Sequence, residues 1–125
     1  MDAKKEIDQL AEDFQSFQKV LTAIGDETRQ YLLLIMMKSG RCDGMRVQEI
    51  AEKTNLSRPA VSHQIQILKD AGLLKIRKEG TKIYYYYAPD LDTFDRFVDV
   101  FVRARNLTAM IPKQPLPEQN AFSVK

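Results

Sequence analysis

The chain has 125 residues, room for one domain or for a protomer that completes its core by pairing, and its 44% hydrophobic and 29% charged residues are ordinary for a globular protein. No stretch approaches the ~18 apolar residues of a membrane span, and the charged start "MDAKKEIDQL" has no apolar run of signal-peptide type, so a cytoplasmic protein with no membrane partner is expected. Cys42, the single cysteine, excludes an internal disulfide and any multi-cysteine metal cluster within one chain; the net charge of +2 conceals a segregation, with residues 1–27 at −4 and residues 57–82 at +4.

Over residues 3–24, Ile7, Leu10, Phe14, Phe17, Leu21 and Ile24 alternate spacings of three and four, which predicts one helix with a long apolar seam to cover. Gly25 breaks it. Asp26 can cap a second helix, whose run "YLLLIMM" is apolar nearly all round and so predicts the most buried element. Gly40 closes that helix and "RCDG" is a loop. A short third helix begins near Met45, with Val47, Ile50 and Ala51 facing inward, and stops at "TNL", where Asn55 tolerates the left-handed conformation of a helix terminus. Ser57 caps a fourth helix. Two helices joined by a turn of three or four residues form a helix-turn-helix, although plain helical hairpins use the same punctuation.

Gly72 ends the fourth helix, and "LLKIRKEGTKIYYYYA" changes to period two: two strands joined at "KEGT". Pro89 and Asp90 start a fifth helix with Leu91, Phe94, Phe97, Val98, Phe101 and Val102 on one stripe, more apolar surface than a lone terminal helix needs. The fold expected is therefore mainly α (α+β): five helices and a two-stranded hairpin in one domain over residues 1–110. The proline-rich polar tract of residues 111–125 is expected to be disordered.

The fourth helix has two unlike faces. With Val61 at zero and 100° per residue, Ile65 and Leu68 lie within about 40° of it, whereas Arg58, Lys69, Ser62 and Gln66 lie between roughly 60° and 140°. Pro59 and His63, at about 160° and 200°, border that polar stripe. A helix that reads DNA must enter a major groove about 12 Å wide and exchange hydrogen bonds with base edges. Arg58 suits guanine, Gln66 suits adenine, Ser62 and His63 suit bases or phosphates, and the free N–H groups at the start capped by Ser57 suit a phosphate. A solvated face would explain any one of these residues. The short helix, the tight turn, the capped second helix and a hairpin tip bearing Arg77, Lys78, Thr81 and Lys82 together describe a winged helix-turn-helix, in which the helix reads the groove and the hairpin lies along the backbone.

The segments "LTAIGDETRQYLLLIMM" and "VQEIAEKTNLSRPAVSHQIQILKDAGLLKIRKEGTKIYYYY", with the closing amphipathic helix, resemble the ArsR/SmtB family of bacterial winged-helix repressors over about residues 20–105. The resemblance implies a homodimer, paired mainly through the first and last helices, that binds a palindromic double-stranded operator and releases it when an effector binds. It accounts for the two surplus apolar stripes, placing the dimer seam on Ile7, Leu10, Phe14, Phe17 and Leu21 of the first helix and Phe94, Phe97, Val98 and Phe101 of the last. It also sets Arg58, Pro59, Ser62 and His63 at DNA-contacting positions.

Many members of that family sense metals through a cysteine pair at the start of the third helix, or through His and Asp/Glu on the last. Here the third helix reads "MRVQEIAEK" and the last "DLDTFDRFVDVFVRARN", without Cys or His, so no regulatory metal and no cofactor is expected. Asp92, Asp95 and Asp99 read as a solvated face, the lone His63 as a groove contact, and the run Tyr84 to Tyr87 as packing beside the wing. No Gly-rich phosphate loop, nucleophile elbow or metal-hydrolase motif is present, so an enzyme is not expected. Two other readings stay open: a winged module that faces a protein, and a redox-responsive regulator that uses Cys42, a residue that reads first as an inert loop cysteine and would become a reactive thiol if Arg41 and Arg46 lay against it. The effector is not legible.

Overall fold

A computed structural model describes residues 2–40 and 43–111; Arg41, Cys42 and the tail beyond Ile111 lie outside the described residues. The helix expected over residues 3–24 is two helices, α1 (Ala3–Gln15) and α2 (Gln18–Ile24), which makes six helices among the described residues rather than five. The break is a tight turn. Ser16 donates from both its hydroxyl and its N–H to the Asp13 carbonyl, and the Phe17 N–H bonds the Phe14 carbonyl three residues back at 3.1 Å. The seam is continuous in sequence but serves two neighbours. The α1 part faces the last helix and buries no side chain, whereas α2 sends Val20 and Ala23 into the main core. One straight rod cannot lie along both, and the kink turns Phe17 inward to 4% exposure.

Helix α3 (Glu27–Lys38) is capped by the Asp26 carboxylate, which accepts from the Arg29 N–H at 3.0 Å. It buries Leu32, Leu33 and Met36, yet Tyr31, Leu34 and Met37 stay roughly half exposed. The core lies to one side of it, so its all-round apolar sequence does not mean all-round burial.

Helix α4 (Val47–Thr54) starts two residues later than expected, because Met45 is not helical. Met45 exchanges a pair of 2.8 Å backbone hydrogen bonds with Tyr85, adding a one-residue bridge to the edge of the hairpin. Gly44 makes the approach possible. Its φ of +94° suits a residue without a Cβ, and a Cβ there would stand 2.8 Å from the Tyr85 carbonyl oxygen. The turn after α4 follows expectation, with Asn55 left-handed (φ +60°). Helix α5 (Arg58–Asp70) then begins behind Ser57, whose hydroxyl accepts from the Ala60 N–H at 3.2 Å.

Val61, Ile65 and Leu68 of α5 are fully buried beside Leu32, Ile50 and Met45, and they form the centre of the one core. Gly72 (φ +84°) turns the chain into β1 (Leu74–Glu79), which pairs antiparallel with β2 (Lys82–Tyr87). Glu79 faces Lys82 in the register, so Gly80 and Thr81 alone form the loop. Helix α6 (Leu91–Met110) buries only Val100 outright and lies against α1. Phe17 and Phe97 centroids are 5.2 Å apart, Phe97 and Phe101 stack at 5.2 Å, and Phe14 meets Phe101 edge-on at 6.2 Å. Arg103 on α6 ties the pair by a 2.6 Å bond to Asp13.

Candidate nucleic-acid interface

The polar face of α5 is presented outward. Arg58, Pro59, Ser62, His63 and Gln66 are exposed and Lys69 is half-buried, while the opposite stripe anchors the helix in the core. Among the described residues, no hydrogen bond or ion pair engages the side chains of Arg58, Ser62, His63 or Lys69. Gln66 is held, its amide donating to Asp70 at 2.9 Å, and Ser57 is occupied as the cap.

The hairpin brings a second set of groups to the same side. Lys78, Thr81 and Lys82 are exposed at its tip. A shallow groove of about 290 Å³ joins the elements, lined by Arg58 and Ser62 of α5, Thr81 and Ile83 of the hairpin, and Arg46 and Gln48 at the start of α4. Arg46 and Gln48 did not emerge from the sequence as site residues. Their signal was a base and an amide at the start of the helix before the turn, overshadowed by the longer polar stripe of α5.

Arg77 is placed differently from its neighbours. Its guanidinium donates to the Asp43 carbonyl at 3.1 and 3.2 Å, pairs with Glu79 at 2.7 Å, and lies 4.3 Å from the centre of the Tyr84 ring. The bond to Glu79 holds its pKa above the ordinary arginine value. Arg77 therefore clamps the hairpin to the loop before α4. The tyrosine run is likewise committed to packing: Tyr84 to Tyr87 are all half-buried, and burial pushes the Tyr87 hydroxyl above its usual pKa.

The nine residues assigned to a dimer seam do not form one free surface. Ile7, Phe14, Val98 and Phe101 are 45–62% exposed, Leu10, Leu21, Phe94 and Phe97 are half-buried, and Phe17 is spent inside the protomer. On α6, Arg96 lies 3.4 Å from Asp92 and Arg103 lies 3.0 Å from Asp99. Among the described residues no three His, Cys, Asp or Glu side chains come together as a metal site. Of the three aspartates singled out on this helix, Asp92 and Asp99 are thus matched by arginines.

The description "Bacterial regulatory protein, arsR family" matches residues 26–75, which run from the α3 cap through α5 into β1. An uncharacterized HTH-type transcriptional regulator of Methanocaldococcus jannaschii is 35% identical over 79 residues, 63% of this chain and 85% of that protein. The chain belongs to the ArsR family. The transcriptional repressor SdpR of Bacillus subtilis, 39% identical over 66 residues, is matched over 53% of this chain and 69% of its own length. Among solved structures, an ArsR-like transcriptional regulator from Rhodococcus sp. RHA1 superposes with a TM-score of 0.63 at 25% identity, over 80% of this chain and 91% of that one. The homodimeric winged helix-turn-helix DNA-binding domain of an ArsR-family candidate from Mycobacterium bovis shares the fold, with a TM-score of 0.52 at 24% identity over 92% and 96% of the two chains. This ArsR-family chain is thus a transcriptional regulator, and its α4, α5 and hairpin are the winged helix-turn-helix that binds DNA. Among the described residues no helix is long and apolar enough to cross a membrane.

Proposed function

We propose that this ArsR-family protein is a cytoplasmic homodimeric repressor in which each protomer lays α5 in one major groove of a two-fold symmetric operator. The observation that carries the reading is the convergence of Arg58 and Ser62 with Thr81, Arg46 and Gln48 around one open groove, beside lysines whose side chains have no partner among the described residues. Arg58, Ser62, His63 and, after release from Asp70, Gln66 face base edges; Pro59 sets the first turn against the backbone. Lys69, Lys78, Thr81 and Lys82 meet phosphates, as does Arg46. Arg77 acts one step back, holding the wing at its angle. Pairing is supported by the homodimeric domain from Mycobacterium bovis, and a seam on α1 and α6 by the half-exposed Ile7, Phe14, Val98 and Phe101. The repressor role is supported by the likeness to SdpR.

Selection of the purified protein against a randomised duplex pool, followed by sequencing, tests this reading. The expected product is a two-fold symmetric motif with half-sites about one helical turn apart. A folded dimer that enriches no motif refutes it. Affinity should also fall steeply with salt, since phosphate contacts release counterions; a flat salt response would turn the same surface toward a protein partner.

A further inference from the structure

Arg29, in the first turn of α3, holds two other helices at once. Its Nε donates to the Ala23 carbonyl at 2.7 Å and its Nη2 to the Thr22 carbonyl at 3.0 Å, satisfying carbonyls at the C-terminus of α2 that have no partner inside that helix. Gln30 adds a third such bond, from Nε2 to the Ile24 carbonyl at 2.6 Å. The remaining arm, Nη1, donates to Gln64 Oε1 on α5 at 2.8 Å. The Arg29 side chain is only 12% exposed.

Gln64 lies about 60° from Val61 on the flank of α5 away from Arg58, Ser62 and Gln66. The grip is thus on the side of the helix that does not read DNA. Helix α2, at the other end of the clamp, follows the turn at Phe17, which is packed on Phe97 of α6. One guanidinium therefore ties the reading helix to the part of the fold that carries the α1 and α6 faces.

We propose that Arg29 is a positioning residue for base recognition, acting through Gln64 to set the rotation of α5 about its own axis. The inference rests on the reading role of α5 given above. A rotation of about 10° moves a group ~5–6 Å from the helix axis by ~1 Å. Bidentate pairing with a base edge has little room for that, whereas a phosphate contact follows it. Loss of the tie should therefore reduce operator affinity and leave affinity for random duplex unchanged.

The test compares Gln64→Met, which removes the acceptor at similar length, with Gln64→Glu, which keeps an oxygen facing the guanidinium. Arg29→Ala would also strip the α2 cap and damage folding, so the Gln64 pair decides the matter. Affinities for the selected operator and for random duplex are measured across a salt series. The expected result is an operator affinity about tenfold weaker for Gln64→Met, unchanged random-duplex affinity and salt slope, and a wild-type ratio of the two affinities for Gln64→Glu. An unchanged ratio in Gln64→Met, or a ratio that Gln64→Glu fails to restore, overturns the proposal. A wild-type protein that shows no preference for any duplex instead removes the recognition reading itself, and is seen before any variant is compared.

Discussion

Substitution of Gly44 by alanine tests how the wing is attached to the helix pair. At φ +94° a residue with a Cβ is strained by about 1–2 kcal/mol. The added carbon would also stand 2.8 Å from the Tyr85 carbonyl oxygen and 3.2 Å from the Tyr84 Cβ. Neither neighbour is a free side-chain end, so relief requires β2 to retreat and the Met45 to Tyr85 pair of hydrogen bonds to lengthen. Each of those bonds contributes about 0.5–1.5 kcal/mol. Together the terms give a destabilisation of about 2–5 kcal/mol, read as a lower urea midpoint at fixed protein concentration. Gly72→Ala is the control, because Gly72 has a similar φ of +84° with nothing within 4 Å of its would-be Cβ. It carries the strain alone. Equal urea midpoints for the two variants would refute the reasoning, since the close approach to Tyr85 would then contribute nothing.

Arg58→Ala should cost about 1–3 kcal/mol at one base position and relax specificity there, whereas Lys78→Ala should weaken binding to all duplexes alike and lower the salt slope by about one unit. Titrations against single-base operator variants separate the two, and parallel losses for both substitutions would contradict the division of labour. Val98→Asp places a charge on the α6 face at a side chain 62% exposed in the protomer, so it should leave the core around α5 folded while shifting sedimentation equilibrium to monomer; an unchanged dimer would place the seam elsewhere. Asp13 has its pKa held below the usual carboxylate range, chiefly by the hydrogen bond from Arg103. A depressed folded-state pKa stabilises above the unfolded value and loses that contribution as pH falls through the folded one. Asp13→Asn should therefore melt below the wild type at neutral pH, with the gap closing below about pH 4, and a pH-independent gap would show that the ion pair is not its source.

The helix-turn-helix was legible because its signals are local. Asp26, Asn55 and Ser57 mark helix ends within a few residues of where they act, and the stripe Val61, Ile65 and Leu68 is a period any window detects. What escaped depends on partners distant in sequence. The kink at Ser16 and Phe17 interrupts a seam whose spacing never falters, because its cause is that α1 and α2 face different neighbours. Met45 could not be read as a bridge, since one residue has no period and Tyr85 is far along the chain. Arg77 looks like any basic wing residue until the Asp43 carbonyl and the Tyr84 ring are seen around it. The tie between Arg29 and Gln64 spans 35 residues, and neither residue type announces it.

Helix α1 buries none of its 13 residues, and apart from its rim contacts with α6 it has little to hold it. A helix of that length is marginal in water without tertiary support. If a second copy covers the exposed Ile7 and Phe14, the folding of α1 obeys mass action. Dilution alone should then unravel it, so helical ellipticity at 222 nm, an intramolecular signal in most small domains, becomes for this protein a function of its own concentration.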